Sequence, residues 1–408
     1  MPNLVSLQHV TEYDPRAVLD AVRTALAPWG GMGAFVRPGQ RVLLKPNLLA
    51  GFAPERAVTT HPAVVRAAIL LAQEAGGTVA VGDSPGVGRL ASVVRTAGLA
   101  SVRGETGATL ADFTTPAEFS VPRHRVAARL TLARAVAEAD VIISLPKLKT
   151  HGQMVFTGAL KNQYGLIPGT LKSQWHFRLQ RREWLAALIL DIHRTARPAL
   201  AIMDAIVGME GKGPSGGRPR HIGAILAGPD LVALDTLACL LINLEPRLVP
   251  ALEAARAEGL GATAPADIQV VGADWRALRV PDFEKVSKLE DLRRIIPLPS
   301  GVLNWIREHW TAKPRIVEAR CTECGACEEG CPVRPAAIHP TAPERQRIDD
   351  DACIRCYCCH EFCPNNAIDL YRPGLLGSLR FDPRSRRSGN PLSRLWPWGQ
   401  RPDKLGRG

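Results

Sequence analysis

The sequence has 408 residues, of which 46% are hydrophobic, and it carries a formal net charge of +12. A chain of this length exceeds the size at which one hydrophobic core usually stops growing, so we expect two domains and a tail. No stretch reaches about 18 uncharged apolar residues, and the N-terminus lacks a basic segment followed by an apolar core. The sequence therefore indicates neither a transmembrane segment nor a signal peptide.

Residues 1–271 alternate short β-branched apolar runs with longer amphipathic runs. This pattern predicts an α/β domain with a mostly parallel sheet and flanking helices. The predicted strands are 41–44, 78–81, 141–145, 199–203, 221–226 and 268–271, and the predicted helices are 14–26, 62–75, 183–193 and 231–242. Thr60 or His61 can cap the second of these helices, and Pro62 suits its first turn.

Polar and glycine-rich motifs directly follow four of the predicted strands. They are Lys45-Pro46-Asn47, Gly82-Asp83-Ser84-Pro85-Gly86, Pro146-Lys147-Leu148-Lys149-Thr150-His151 and the segment 204–217. Each motif alone is ordinary turn chemistry. If the strands are mostly parallel, however, all four loops gather at the carboxyl edge of the sheet, where ligands bind in open α/β folds. This convergence predicts a binding site.

Several sequence signatures that would identify the ligand are missing. The chain has no Walker A sequence, no G-x-G-x-x-G in its proper place and no H-E-x-x-H. The sequence therefore does not support a nucleotide or dinucleotide site, and a zinc hydrolase would need a different arrangement of residues.

The order of these motifs, together with Thr59-Thr60-His61-Pro62 and Gly158-Ala159-Leu160-Lys161-Asn162, resembles the family called domain of unknown function 362. The resemblance covers roughly residues 40–245. It extends to Asp204, Gly208-Met209-Glu210-Gly211, Gly213-Pro214 and Asp235. The family implies no reaction, so the chemistry of the residues must be interpreted directly.

Nine ionisable side chains in these loops are the candidate catalytic or binding groups. They are Lys45, His61, Asp83, Lys147, Lys149, His151, Lys161, Asp204 and Glu210. Six of them can be cations and three are carboxylates, so we expect a substrate that bears a carboxylate or phosphate. The histidines are suited to acid–base work near neutral pH. The structural alternative is that the lysines are solvated loop residues and the histidines cap helices.

Residues 272–317 are predicted to be a linker and docking segment. Short helices are expected at 288–296 and 302–310, and Trp305 and Trp310 are expected to pack the two domains together.

Two cysteine runs with the same spacing follow the linker. Cys321, Cys324, Cys327 and Cys331 are spaced C-x2-C-x2-C-x3-C-P, and the run from Cys353 to Cys363 repeats that spacing 32 residues later. Structural zinc sites and disulfide frameworks also use C-x2-C pairs. The trailing x3-C-P and the repeat favour cubic iron–sulfur clusters, because three closely spaced cysteines supply three corners and a distant cysteine the fourth.

Residues 318–371 resemble bacterial two-cluster ferredoxins, with Ala367-Ile368 after the second run. The resemblance implies a small α+β ferredoxin-like domain with two [4Fe-4S] clusters, in which the trailing cysteine of each run ligates the other cluster. It assigns Cys321, Cys324, Cys327 and Cys363 to cluster 1, and Cys353, Cys356, Cys359 and Cys331 to cluster 2. The first run departs from the pattern by two extra residues before Ala337-Ile338. Cys358 is then a spare thiol, and Cys239 a buried small hydrophobe.

Residues 372–408 contain nine Lys or Arg and two Asp, which is +7 of the net charge. This composition predicts a disordered basic tail, with docking of Trp396 and Trp398 to an acidic partner or an anionic membrane surface as the alternative. Because the excess charge lies in the tail, it does not indicate nucleic-acid binding. Thiolate-ligated iron needs a reducing compartment, so we expect a cytoplasmic protein.

The sequence favours an iron–sulfur oxidoreductase that passes electrons between a soluble redox partner and an anionic small molecule held by the α/β domain. The alternative is a non-catalytic electron carrier or an iron–sulfur assembly or partner-binding factor. Cluster potentials range so widely that the direction of electron flow is not fixed by the sequence.

Overall fold

A computed structural model describes residues 3–371 except 87, 170, 180, 286–312, 332, 334, 344–346, 351 and 354. The strands within these residues are β1 (Leu4–His9), β2 (Arg41–Pro46), β3 (Thr78–Val81), β4 (Thr109–Leu110), β5 (Pro116–Ser120), β6 (Arg129–Ala133), β7 (Val141–Leu145), β8 (Lys147–His151), β9 (Val155–Thr157), β10 (Leu200–Glu210), β11 (Arg218–Gly228), β12 (Gln269–Gly272), β13 (Lys313–Ile316) and β14 (Ile368–Tyr371).

The helices of the described residues lie between these strands and in the cysteine-rich region. They are α1 (Pro15–Leu26), α2 (Pro62–Glu74), α3 (Leu90–Thr96), α4 (Leu99–Thr106), α5 (Arg134–Glu138), α6 (Ala159–Asn162), α7 (Leu171–Arg178), α8 (Arg182–Ala196), α9 (Leu231–Leu241), α10 (Pro250–Ala257), α11 (Ala326–Glu329) and α12 (Cys358–Phe362). In the part of the chain described, no helix is both long enough and apolar enough to span a bilayer.

The main sheet has the strand order β12-β1-β11-β10-β7-β2-β3-β4, and β8 and β9 extend it from β10. The pairs from β10 through β7, β2 and β3 to β4 are parallel, whereas β11 is antiparallel to both β1 and β10. The predicted α/β domain with a mostly parallel sheet is therefore confirmed. All six predicted strands and all four predicted helices are present; the strands 78–81 and 141–145 have the predicted ends, and the other elements have shifted ends.

Side chains of β2 alternate between two apolar layers, which shows that the sheet is covered on both faces. Val42 and Leu44 pack in one cluster with residues of α1 and α2, whereas Leu43 packs in the other with residues of α8 and α9. Successive residues of a strand point to opposite faces, and a parallel sheet buried on both sides needs apolar residues at both sets of positions. The polar residues that follow such strands are therefore displaced to the sheet edge.

The segment Lys147–His151 was predicted to be a loop, and the structure corrects this prediction. It forms β8, which pairs in parallel with β10 and antiparallel with β9. Pro146 separates it from β7. Because Lys147 and Lys149 are polar, the segment lacks the apolar signal of a buried strand, although all five of its residues are buried.

The cysteine-rich region, residues 313–371, is called the cysteine module below. Its two-stranded sheet pairs β13 with β14 in antiparallel fashion, and Ile338 and Ile348 form a second antiparallel contact. β13 lies within the segment predicted as a linker, and residues such as Trp275 and Phe283 from the start of that segment pack on the α/β core. The helices predicted at 288–296 and 302–310, Trp305, Trp310 and the basic tail lie outside the described residues.

Candidate functional site at the carboxyl edge of the sheet

Lys45 and Asp83 form an ion pair where β2 and β3 end, with 2.7 Å between Lys45 Nζ and Asp83 Oδ1. Their relative exposures are 1% and 3%. Lys45 Nζ also donates to Asn162 Oδ1 at 2.9 Å and to the Pro46 carbonyl oxygen at 3.1 Å. An ammonium has three N–H donors, so all of its donors have acceptors within the protein.

Asp83 is held by the backbone as well as by its lysine. Its Oδ2 accepts from the Leu48 amide at 2.7 Å, and its Oδ1 accepts from the Ser84 amide at 2.9 Å. A β-carbon at position 165 would lie 2.1 Å from Asp83 Oδ1, so Gly165 is what lets its backbone pass this close. Burial lowers the pKa of Lys45, and the Asp83 carboxylate opposes that change.

Two asparagines connect this pair to a second lysine. Asn162 Nδ2 donates to the Lys45 carbonyl oxygen and to Ser144 Oγ, at 3.0 Å each. Asn47 Nδ2 donates to Asn162 Oδ1 at 3.3 Å, and Asn47 Oδ1 accepts from Lys149 Nζ at 2.8 Å. The motifs after β2, at β8 and at 158–162 therefore form one buried hydrogen-bond network.

The position of Asn162 depends on Asp235 of α9, which accepts hydrogen bonds from the first amides of α6. Its carboxylate accepts from the Ala159 amide at 2.6 Å and from the Leu160 amide at 2.9 Å. A β-carbon at Gly158 would lie 2.1 Å from Asp235 Oδ1, so only glycine leaves room for this contact. Burial raises the pKa of Asp235 to about 7, and the two amide bonds oppose that increase.

Lys147 and Asp204 form a second buried ion pair, with 2.8 Å between Lys147 Nζ and Asp204 Oδ2. The Tyr13 hydroxyl donates to Asp204 Oδ1 at 2.7 Å and accepts from Lys147 Nζ at 2.8 Å. The His61 amide donates to Asp204 Oδ2 at 2.9 Å. Burial and the adjacent Asp204 carboxylate raise the pKa of Tyr13, so the phenol stays protonated.

His61 has a structural role at the start of α2. Its Nδ1 accepts from the Ala63 amide at 3.2 Å, and its ring stacks on Tyr13 with 3.6 Å between ring centroids. Burial lowers the pKa of His61 to about 4 despite the opposing effect of Asp204. The imidazole is therefore neutral at pH 7, and its capping of the helix agrees with the structural alternative for this residue.

Lys149 and His151 are buried in β8. Lys149 Nζ donates to the Val58 carbonyl oxygen at 2.7 Å in addition to Asn47. His151 Nδ1 accepts from the Gln153 and Met154 amides, both at 3.1 Å, and so stabilises the turn between β8 and β9. Burial of Lys45, Lys147 and Lys149 at 1% relative exposure contradicts the alternative that these lysines are solvated loop residues.

Glu210, at the end of β10, interacts with Arg218 and with the backbone of Glu284. Its carboxylate binds Arg218 at 3.3 Å and accepts from the Glu284 amide at 3.0 Å. The structure therefore brings the loops together as predicted, but it uses Asp83 and Asp204 to neutralise Lys45 and Lys147. The expected excess of positive charge for a substrate is correspondingly smaller, and the binding role of the nine residues stays a prediction.

Lys172 of α7 is a lysine of this edge that the sequence analysis missed. It is 8% exposed, and its Nζ donates to the Ser84 carbonyl oxygen and, at 3.0 Å, to that of Pro85. Burial lowers its pKa to about 8, Asp83 opposes this, and Lys45 and Lys161 reinforce it. Lys161 itself is partly exposed, with Nζ 5.8 Å from the Tyr164 ring centroid. Neither Lys172 nor Tyr13 belongs to a recognisable motif.

In the cysteine module, a cavity is lined by four cysteines from both runs. They are Cys321, Cys324, Cys327 and Cys363. Cys353 lies close enough to Cys356 and Cys331 for their charges to affect its pKa. Within the described ranges, no group of three or more His, Cys, Asp or Glu side chains is arranged to hold a metal ion.

The two trailing cysteines have equivalent hydrogen bonds. The Ala367 amide donates to Cys363 Sγ at 3.1 Å, and the Ala337 amide donates to Cys331 Sγ at 3.4 Å. The two extra residues of the first run are therefore accommodated between Cys331 and Ala337 without loss of this contact. Amide donors to sulfur stabilise thiolates and influence the potential of a metal centre.

Three thiols of the module are buried deeply enough for burial to disfavour their charged form. Burial raises the pKa of Cys327 to about 12, with the neighbouring Cys363 and Cys324 adding to the increase. Burial also raises the pKa of Cys353 and of Cys359. Thiolates in these positions would require a bound metal.

The cysteine module contacts the carboxyl edge through α12. The Phe362 ring lies against Gly86, where a β-carbon would be 2.0 Å from a ring carbon. Ser215 Oγ donates to the His360 carbonyl oxygen at 3.4 Å. The helix that carries Cys359 thus lies against the loops after β3 and β10.

This geometry defines an α/β protein whose sheet edge holds a buried lysine–aspartate network and carries a cysteine module. The family model described as domain of unknown function (DUF362) matches residues 42–240. The chain is 37% identical over 276 residues to "Thylakoid-associated protein sll1697" of Synechocystis sp. (strain ATCC 27184 / PCC 6803 / Kazusa), covering 65% of this chain and 82% of that protein. The chain therefore belongs to the DUF362 family.

A solved structure, the lactate racemase apoprotein from Thermoanaerobacterium thermosaccharolyticum, is similar with a TM-score of 0.37 and 13% sequence identity. The match covers 58% of this chain and spans 56% of the racemase chain.

Proposed function

We propose that the chain is an iron–sulfur protein that binds two [4Fe-4S] clusters and transfers electrons between a soluble redox partner and an anionic small molecule at the carboxyl edge. Cluster 1 would be held by Cys321, Cys324, Cys327 and Cys363, and cluster 2 by Cys353, Cys356, Cys359 and Cys331. The clusters would supply one-electron chemistry.

The observation that carries this proposal is the cavity lined by Cys321, Cys324, Cys327 and Cys363. Three of these residues come from the first run and one from the end of the second, which is the combination that crossed ligation needs. A disulfide framework would pair cysteines two by two, whereas this cavity brings four cysteines together. The donor set, the cavity and the amide bond to Cys363 Sγ all fit a thiolate-ligated cluster.

The residues of the sheet edge would bind and orient the small molecule. Lys161 and Lys172 are the candidates to contact it, because Lys161 is partly exposed and Lys172 lies within electrostatic range of Asp83, Lys45 and Lys161. Lys172, with a pKa of about 8, can carry a proton at neutral pH and release it to a reduced acceptor. Lys45 and Lys147 would keep the loops in place.

A specific observation favours a second function, that of a non-catalytic electron carrier or assembly factor. Lys45 and Lys147 are already neutralised by carboxylates at 2.7 and 2.8 Å, so the edge is stable without a ligand. In that case the α/β domain would recognise a protein partner, and the clusters would be passed on or used as a relay.

We propose a cytoplasmic location, because thiolate-ligated iron must be assembled under reducing conditions. The relative from Synechocystis is named for its association with thylakoids, so a membrane surface is the second location to examine. Cell fractionation with antibodies to the full chain distinguishes the two.

The test is anaerobic purification followed by iron, sulfide and zinc analysis. We expect about eight irons and eight sulfides per chain and a broad absorbance near 400 nm that dithionite bleaches. Tightly bound zinc in place of iron would refute the proposal.

The two functions separate in a second experiment on the reduced protein. Carboxylated and phosphorylated small molecules are added one at a time, and cluster reoxidation is followed by absorbance. Reoxidation by at least one compound supports the oxidoreductase. Reoxidation by none, together with transfer of intact clusters to an apo-protein, supports the carrier.

A further inference from the structure

Helix α12 carries one proposed cluster ligand, Cys359, and a second, Cys363, directly follows its last residue in an extended conformation. Cys358 and Phe362 are four residues apart within the helix, so they share one side of it. Cys358 is 0% exposed and Phe362 is 7% exposed, although neither is assigned to a cluster. This face of α12 needs a burial partner.

The partner of this face is the loop after β3. The Phe362 ring fits between two glycines, because a β-carbon at Gly86 would lie 2.0 Å from the ring and one at Gly330 would lie 2.3 Å from it. Gly86 belongs to the α/β domain and Gly330 to the cysteine module. The absence of a side chain at both positions allows the ring to fill the space between the two domains.

Further contacts extend this face. Lys172 of the α/β domain donates to the Ser84 and Pro85 carbonyl oxygens, directly before Gly86 in the chain, so it lies next to the contact with Phe362. A β-carbon at Gly216 would lie 3.3 Å from the His360 ring. We call this contact region the docking seam. It consists of Gly86, Lys172, Ser215 and Gly216 on the α/β domain and Cys358, His360 and Phe362 on α12.

We propose that the docking seam holds the cluster-bearing helix against the Asp83 loop and is the route by which electrons cross between the cysteine module and the carboxyl edge. Cys358 and Phe362 are positioning residues and not cluster ligands. The electron-transfer part rests on the proposed function. A cluster ligated through Cys359 or Cys363 would supply one electron to the bound anionic acceptor across this seam, and the soluble redox partner would return one electron to the cluster.

The first test measures whether the seam is closed, using the full-length protein purified without oxygen. Cys358 is alkylated with iodoacetamide, and the site is quantified by mass spectrometry. We expect Cys358 to be protected in the wild type and to react at least about tenfold faster in Gly86→Ala, because overpacking a filled contact opens it. Gly33→Ala is the matched control, since a β-carbon at Gly33 meets nothing within 4 Å.

The Phe362→Ala variant sharpens this test. Because the clash in Gly86→Ala is with the Phe362 ring, the double variant should label no faster than Phe362→Ala alone. If the two substitutions increase the labelling rate independently, so that their effects multiply in the double variant, the proposed seam is wrong. Rapid labelling of Cys358 in the wild type would also overturn it.

The second test measures whether a cluster lies near the seam. Lys172→Met removes a buried cation and keeps a side chain of similar length. A nearby cation stabilises the reduced, more negative cluster, so we expect the midpoint potential of one cluster to become more negative in this variant. Arg23→Met removes an exposed charge on α1 that pairs with Glu74 and should leave both potentials unchanged. Unchanged potentials in Lys172→Met would contradict the electron route.

The two proposals fail in different ways. A chain that lacks iron refutes the proposed function, whereas the labelling of Cys358 still reports on the seam. If the protein has its full iron content but the effects of the two substitutions on the labelling rate multiply, the proposed function stands and the proposed seam is wrong.

Discussion

The carboxyl edge of the sheet and the cysteine module both bury ionisable groups, but they stabilise them differently. At the edge, Lys45 and Lys147 each have a carboxylate within 2.8 Å, and further hydrogen bonds complete their shells. In the module, burial raises the pKa of Cys327 to about 12, the neighbouring thiols of Cys363 and Cys324 add to the increase, and backbone amides oppose it. The buried lysines of the edge are therefore neutralised within the protein, whereas under the proposed function a bound metal would stabilise the charged form of the module's sulfurs.

The largest expected effect is the removal of metal. Four cysteines belong to the small apolar cluster of the module, alongside Ile316, Ile338 and Ile368, so this core depends on what the sulfurs bind. We expect chelation of the anaerobic protein to abolish amide hydrogen-exchange protection in residues 313–371 and to leave residues 3–285 protected. Protection of the module without metal would show that its core is sufficient alone.

Breaking a buried pair at the edge should have the next largest effect. Asp204→Ala leaves the Lys147 ammonium buried without its carboxylate, and loss of one partner costs about 3–5 kcal/mol of unfolding free energy. Urea denaturation of the α/β domain measures it. The double variant Lys147→Met/Asp204→Leu should recover part of that loss, because it removes both charges. A double variant no more stable than Asp204→Ala would argue that the carboxylate acts mainly through Tyr13 and His61.

Adding a methyl group beside the Lys45–Asp83 pair should lower the free energy of unfolding by a smaller amount. In Gly165→Ala the new β-carbon would lie 2.1 Å from Asp83 Oδ1, and overpacking of this kind costs about 1–3 kcal/mol. Gly104→Ala is the control, since that position has nothing within 4 Å. Equal stability of the two variants would mean that the Asp83 loop moves easily.

The smallest effect concerns pH. Burial lowers the pKa of His61 to about 4 from 6.5, so the unfolded chain binds more protons than the folded chain between these values. His61 therefore contributes stability that is present above pH 6.5 and is lost as the pH falls towards 4. Asn can still cap α2. We expect the free energy of unfolding of His61→Asn to fall by about 1 kcal/mol less than that of the wild type over this pH range, after allowance for partial exposure of His61. Identical pH profiles of the two proteins would exclude this role.

The sequence predicted the elements whose signal is apolar and local. The strands around 42–44 and 141–145 have apolar residues on both faces, and the helix at 62–75 has its cap and proline in place. It did not predict β8, because Lys147 and Lys149 look like loop residues until their partners Asp204 and Asn47, distant in the chain, are brought beside them.

The same reasoning applies to the candidate site. The gathering of the loops followed from parallel strands, which is a property of topology. The pairing of Lys45 with Asp83 could not be read from the motifs, because charge balance depends on which side chains face each other. Lys172 lies on a short helix with no motif, and only the fold carries its ammonium to the Ser84 and Pro85 carbonyl oxygens.

The most direct test of the central claim is electron paramagnetic resonance of the reduced protein with single ligand substitutions. Cys324→Ser and Cys356→Ser provide the reference spectra for loss of a ligand from the first and second runs. Crossed ligation predicts that Cys363→Ser changes the same signal as Cys324→Ser, although Cys363 belongs to the second run. A Cys363→Ser spectrum that matches Cys356→Ser, or a wild-type protein without any iron–sulfur signal, would contradict the account.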